Sequence, residues 1–239
     1  MNLDRNYLIG RVRSYLAESA GVKRAIIGPD PELAAATPVA ASDFLSAGSL
    51  AGISGGVTVE RIASAGELIA EMFRSGGKLL LCGNGGSAAD CQHMAAELTS
   101  RLTRDFDRPA LPAIALTTDT SFITAYANDV DFAGVFKRQV EALGRPGDAL
   151  LAISTSGESP NIIAASEEAR RRGLKTIALV GRGGKLAAIA DIAIMVPSEK
   201  TGHIQEAHLA IEHVICSIVE EILFRWPQDA SVPSSEDAV

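Results

Sequence analysis

Residues 78–87 read KLLLCGNGGS, and the ten that follow read AADCQHMAAE. An apolar run with no polar alternation is what a strand buried on both faces requires. The glycines then break it, and the Ala-rich stretch behind them favours helix. Strand, turn and helix in that order form the repeating unit of an α/β sheet. The same grammar recurs downstream in AIALTT (113–118), ALLAIST (149–155), KTIALVG (175–181) and IAIMVP (192–197). Helix-period segments alternate with these runs at Ala88 to Leu102, Thr120 to Ala127, Val130 to Leu143, Ser159 to Arg172 and Gln205 to Phe224. Five buried parallel strands, doubly wound, are therefore predicted across residues 57–225.

Upstream, Tyr7 to Ile27 and Val57 to Phe73 carry apolar residues every three or four positions and read as amino-terminal helices. Between them, residues 28–56 are rich in Ala, Ser, Gly and Pro, poor in charge, and longer than an ordinary connection, so residues 1–56 are expected to be a helix plus a flexible or lid-like insertion. The tail from Trp226, residues 226–239, is polar with two prolines and is expected to be loose.

Composition narrows the function classes. The chain has 239 residues, 47% of them hydrophobic, and a net charge of −7, which works against non-specific affinity for nucleic acid or anionic lipid. No run of about 18 apolar residues is present, and the amino terminus lacks the apolar core of a signal peptide, so a cytoplasmic, non-membrane protein is expected. Cys82, Cys91 and Cys216 are odd in number, lack metal-pair spacing and fall inside apolar or helical patterns, which reads as reduced core thiols.

The turn Gly83-Asn84-Gly85-Gly86-Ser87 can cradle a phosphate with backbone amides at a helix amino terminus, or can be a plain strand-to-helix turn capped by Ser87. A second loop of the same kind, Ser154-Thr155-Ser156-Gly157-Glu158-Ser159, follows strand three, with Pro160 at the first helical position. One serine suffices for capping; the surplus hydroxyls argue for an oxyanion. In the flavodoxin-like strand order 2-1-3-4-5 the two loops share the crevice at the topological switch point.

GNGGS after strand one together with STSGES after strand three resembles the sugar-phosphate site of the SIS (sugar isomerase) family, over roughly residues 57–224. The resemblance implies that Ser154, Thr155, Ser156 and Ser159 hold the phosphate, that Asn84, Gly85, Gly86 and Ser87 line the sugar, and that Asn128 and Asp129 in TAYANDVDF touch substrate. On residues alone, Asn-Asp is a turn signal.

On the first helix, His93, Glu97 and Arg101 stand at i, i+4 and i+8, and the last helix adds Gln205, Glu206, His208, Glu212 and His213. A solvated face explains such residues in most helices, yet three of the four histidines lie between positions 203 and 213. HMAAELTSR and IQEAHLAIEH resemble the phosphoheptose isomerases within the SIS family. That resemblance implies Glu97 and His213 as catalytic acid and base, Gln205 as a substrate contact, zinc on His93, Glu97, Gln205 and His213 as in some members, and a homotetramer with sites at subunit contacts. Eight residues of helix span about 12 Å, so Gln205 and His213 share one ion only by reaching toward each other or by belonging to different subunits. Some members carry an acid three positions before the glutamine, where this chain has Gly202.

The implied reaction converts D-sedoheptulose 7-phosphate to D-glycero-D-manno-heptose 7-phosphate through an enediol, supplying heptose for surface polysaccharide. Glu97 and His213 serve either as acid and base or as ligands of a Lewis-acidic metal. Two other readings stay open on sequence: a non-enzymatic SIS protein that binds the replication initiator DnaA, and an isomerase for a shorter sugar phosphate.

Overall fold

The computed structural model describes residues 5–28, 55–104 and 106–225. Most of the proposed insertion at 28–56, and the whole tail from Trp226, lie outside the described residues. In chain order the elements are α1 (Arg5–Ile27), α2 (Gly55–Arg74), β1 (Leu79–Gly83), α3 (Gly86–Thr99), β2 (Ala113–Ala115), α4 (Thr120–Asp129) and α5 (Val135–Leu143). There follow β3 (Ala149–Ser154), α6 (Pro160–Arg171), β4 (Lys175–Val180), α7 (Lys185–Ile189), β5 (Ile192–Met195), α8 (Thr201–Glu220) and a π-helical turn, Glu221–Arg225.

The sheet is parallel throughout, in the order β2-β1-β3-β4-β5. Leu79 to Gly83 pair in register with Ala149 to Ile153, so β1 and β3 end side by side. Side chains alternate across the sheet. Leu79, Leu81, Leu151, Ile153, Ile177, Leu179 and Ile194 join one core with α2, α3 and α8. Leu80, Cys82, Leu150, Ala152, Ala178 and Val180 join the other with α5, α6 and α7. Both faces being covered is why the strands read as unbroken apolar runs. Helix α1 lies across α2 and α8, and leaves Val12, Tyr15 and Leu16 exposed.

Several expectations are corrected in detail. The helix expected from Val130 begins at Val135, because Asp131 Oδ1 accepts the Gly134 amide at 2.5 Å and closes a turn first. β2 stops at Ala115; the hydroxyl of Thr118 turns back to the Ala115 carbonyl. The last helix starts at Thr201, four residues before the expected Gln205, and α7 was not foreseen. Arg101 follows the end of α3 and is exposed, so the i+8 stripe stops at Glu97. All three cysteines are buried free thiols, as read from sequence.

Candidate functional site

The two loops meet. Asn84 Nδ2 donates to Asn161 Oδ1 at 2.9 Å, and Asn161 Nδ2 donates back to Asn84 Oδ1 at 2.8 Å. This reciprocal amide pair stitches the loop after β1 to the head of α6. Asn161 is buried and was missed in the sequence, where an Asn in a first helical turn looks like an ordinary turn residue.

Neither helix head is capped by the side chain of the residue before it. Gly85, not Ser87, is the residue before α3, at φ 56°, and Ser87 lies buried inside the first turn. Ser159 precedes α6 with Pro160 behind it, yet its hydroxyl faces Ser154 Oγ at 3.0 Å rather than the helix amides. Ser154 Oγ accepts the Gly157 amide at 3.2 Å, and Ser156 Oγ accepts the Glu158 amide at 3.2 Å. The serines therefore shape their own loop; at the head of α6 the Ile162 amide donates to Asn161 Oδ1 at 3.0 Å, whereas the residue before α3, Gly85, offers no side-chain acceptor, a setting that favours an anion. Thr155 is half-buried and Ser156 exposed in the same loop. Gly86 permits a close approach: a Cβ there would stand 2.4 Å from Gln205 Nε2, so Gln205 reaches from α8 to the head of α3.

Further down the same helices, His93 Nε2 and His213 Nε2 are 2.8 Å apart, and Glu97 Oε1 is 3.7 Å from His93 Nε2. One ligand atom from each of the three lies within 4.8 Å of the others. Two imidazoles and a carboxylate are a donor set suited to a divalent transition ion, and Glu97 Oε2 is buried without a partner. Gln205 sits two turns up α8 from His213, at Gly86. Asn128 and Asp129 lie at the end of α4, exposed and bonded to each other at 2.8 Å, on a helix with no buried residue.

Six buried side-chain atoms among the described residues lack a hydrogen-bond partner: Asp90 Oδ2, Glu97 Oε2, His203 Nε2, His208 Nδ1 and both oxygens of Glu212. All belong to α3 or α8. Contrary to the solvated-face expectation, His203, His208 and Glu212 are buried. Burial, reinforced by Asp90, pushes the Glu212 carboxyl up to about 9. Burial pulls His208 down to about 4, opposed by its bond to the Val180 carbonyl at 3.1 Å. Burial also raises Asp90, opposed by His93. Position on a helix foretold that these groups share a seam but not that they face inward.

Residues 55–181 match the SIS domain family. The chain is similar to a phosphoheptose isomerase of Chlorobaculum parvum, at 57% identity over 164 residues, covering 68% of this chain and 78% of that protein. Its fold is similar to the structure of phosphoheptose isomerase GmhA from Neisseria gonorrhoeae, with a TM-score of 0.71 and 40% identity, covering 90% of this chain and 99% of that one. It is likewise similar to a phosphoheptose isomerase from Francisella tularensis, with a TM-score of 0.71 and 36% identity over 89% and 98% of the two chains.

Proposed function

The chain belongs to the phosphoheptose isomerase family of SIS-domain proteins, and on that premise we propose that it interconverts D-sedoheptulose 7-phosphate and D-glycero-D-manno-heptose 7-phosphate, an aldose–ketose isomerisation that supplies heptose for surface polysaccharide. The observation that carries the reading is a carboxylate and two imidazoles gathered from α3 and α8 on the chain whose glycine-rich and serine-rich loops are joined by Asn84 and Asn161.

The phosphate is held by the serine loop, Ser154, Thr155, Ser156 and Ser159, at the head of α6. Asn84, Gly85, Gly86, Ser87 and Gln205 line the sugar, with Asn128 and Asp129 as further contacts. The carboxylate of Glu97 takes the C1 proton of the open-chain ketose, and the C1–H electron pair becomes the C1–C2 double bond. His213 protonates the C2 oxygen, giving the enediol. Return of the proton to C2, with loss of the C1 hydroxyl proton, yields the aldose. The two oxygens of Glu97 divide the work: Oε1 faces His93, and Oε2 is the partnerless one that can receive a proton.

His93, Glu97 and His213 would hold zinc, with Gln205 joining from a second subunit because it lies about 12 Å along α8 from His213. Bound there, zinc would polarise the carbonyl as a Lewis acid. A homotetramer is part of the same reading. Its support is an apolar groove of about 330 Å³ between α1, α2 and α8, lined by Ile27, Val59, Ile62, Ile211 and Val214. The cytoplasm suits three free buried thiols, and no described helix is long and apolar enough to cross a membrane. Nucleic acid has no place in the reading, given the charge of −7.

A panel of heptose, hexose and pentose phosphates, assayed with and without chelator, tests class, substrate and metal together. Turnover confined to the heptose is expected. Conversion of a shorter sugar with equal efficiency, or initiator binding with no turnover of any sugar, would overturn the assignment.

A further inference from the structure

The two halves of the proton-transfer cluster ride on different helices, His93 and Glu97 on α3 and His213 on α8, 120 positions away from His93 in the chain. Near the carboxyl ends of those helices a single guanidinium touches both. Arg108, in the segment between α3 and β2, donates from Nε to Glu220 Oε1 at 2.6 Å, in the last turn of α8. Its Nη2 donates to the backbone carbonyl of Glu97 at 2.7 Å. Its Nη1 donates to the carbonyls of Leu98 at 2.8 Å and Pro109 at 3.1 Å. The side chains of Arg108 and Glu220 are 1% and 4% exposed, so their ion pair is shielded from bulk water. Glu220 Oε1 also accepts the Leu102 amide at 3.3 Å, and the Phe224 ring, carried by the π-helical turn, lies 5.9 Å from the guanidinium carbon.

We infer that Arg108 is a positioning residue for the isomerisation: it clamps α3 to α8 and thereby sets the separation of Glu97 and His213. The clamp grips Glu97 by its own carbonyl, so a shift of the guanidinium moves the backbone that carries the reacting carboxylate. A buried ion pair is weak evidence for stability alone, because desolvation offsets its attraction, whereas a planar fork with four directed bonds fixes geometry in a way an ammonium cannot reproduce. Misplacement of a catalytic group by about 1 Å costs on the order of a hundredfold in rate.

This assignment rests on the isomerase reading, and the test separates the two. R108K, E220Q and V140A are compared with the unaltered protein in kcat, KM and melting temperature; Val140 is fully buried in the other core. R108K is expected to lose roughly ten- to a hundredfold in kcat, with KM changed by no more than about threefold, since the phosphate loop is untouched. E220Q, which keeps the carbonyl bonds of Arg108, should lose less. V140A should lose melting temperature without losing kcat. A folded R108K within about twofold of the unaltered kcat overturns the clamp, as does V140A falling in parallel at equal melting temperature. If R108K does not fold, E220Q decides by the same criteria. If the unaltered protein shows no turnover, the isomerase reading fails alone. The ring nitrogen NMR shifts of His93 and His213 then judge the clamp: movement in R108K or E220Q but not in V140A supports it, and no movement overturns it.

Discussion

Two buried glutamates, one in each helical layer over the sheet, are treated in opposite ways. In the α5–α6–α7 layer, Glu168 is bound by Arg171 at 2.6 Å and Arg172 at 2.7 Å, and those partners, Arg171 first, hold its carboxyl down to about 2 against the effect of burial. In the α3–α8 layer, Glu212 has no partner for either oxygen, and burial beside Asp90 pushes it up to about 9. Every partnerless buried atom among the described residues lies in the second layer. A scaffold minimises such groups because each costs about 1–3 kcal/mol. Their concentration along one seam coincides with the helices that carry the proposed acid–base pair, Glu97 and His213.

The sharpest way to break this comparison is to neutralise one glutamate in each layer. E97Q is expected to lower kcat by about a thousandfold, the scale of a lost general base, while E168Q leaves kcat unchanged; activity and melting curves measured together check both. Near-normal turnover by E97Q would remove the site assignment.

A smaller effect separates the layers by pH. Glu212 has a folded pKa above its ordinary value of 4.5, so its contribution to stability is full below pH 4.5 and is lost as pH rises through about 9. E212Q removes that slope and should gain on the unaltered protein with rising pH, by on the order of 3 kcal/mol at about pH 8. Denaturant titrations across pH 5–8 read this directly, and parallel curves would show that Glu212 is ionised in the folded protein.

The smallest effect has the opposite sign. Glu168 titrates below 4.5 when folded, so its contribution is present above pH 4.5 and is lost as pH falls through about 2. Arg171 is 65% exposed, and with screening allowed for, E168Q should cost about 1–2 kcal/mol at neutral pH and progressively less in acid. A loss independent of pH would assign it to packing instead.

Much of this molecule was legible in its residues. Unbroken apolar runs foretold buried parallel strands, and glycine turns foretold where β1 hands over to α3. The site was legible in part. His93 and Glu97 share a helix face through i, i+4 spacing, a local rule, but their meeting with His213 is not local. Asn161, Asp90 and Arg108 carried no signal at all, since each reads as an ordinary turn, helix or loop residue.

The sequence by itself determined the order of elements, the strand faces and the stripe on which each polar residue of α3 and α8 stands, because backbone periodicity turns spacing into direction. Only the tertiary structure decided what lies in that direction: that Glu212 and His208 are buried, that Asn84 finds Asn161, and that Arg108 finds Glu220 across 112 positions. A helix fixes the angle at which a side chain leaves it, whereas the neighbour it meets depends on how separate elements pack, and no short-range pattern encodes that.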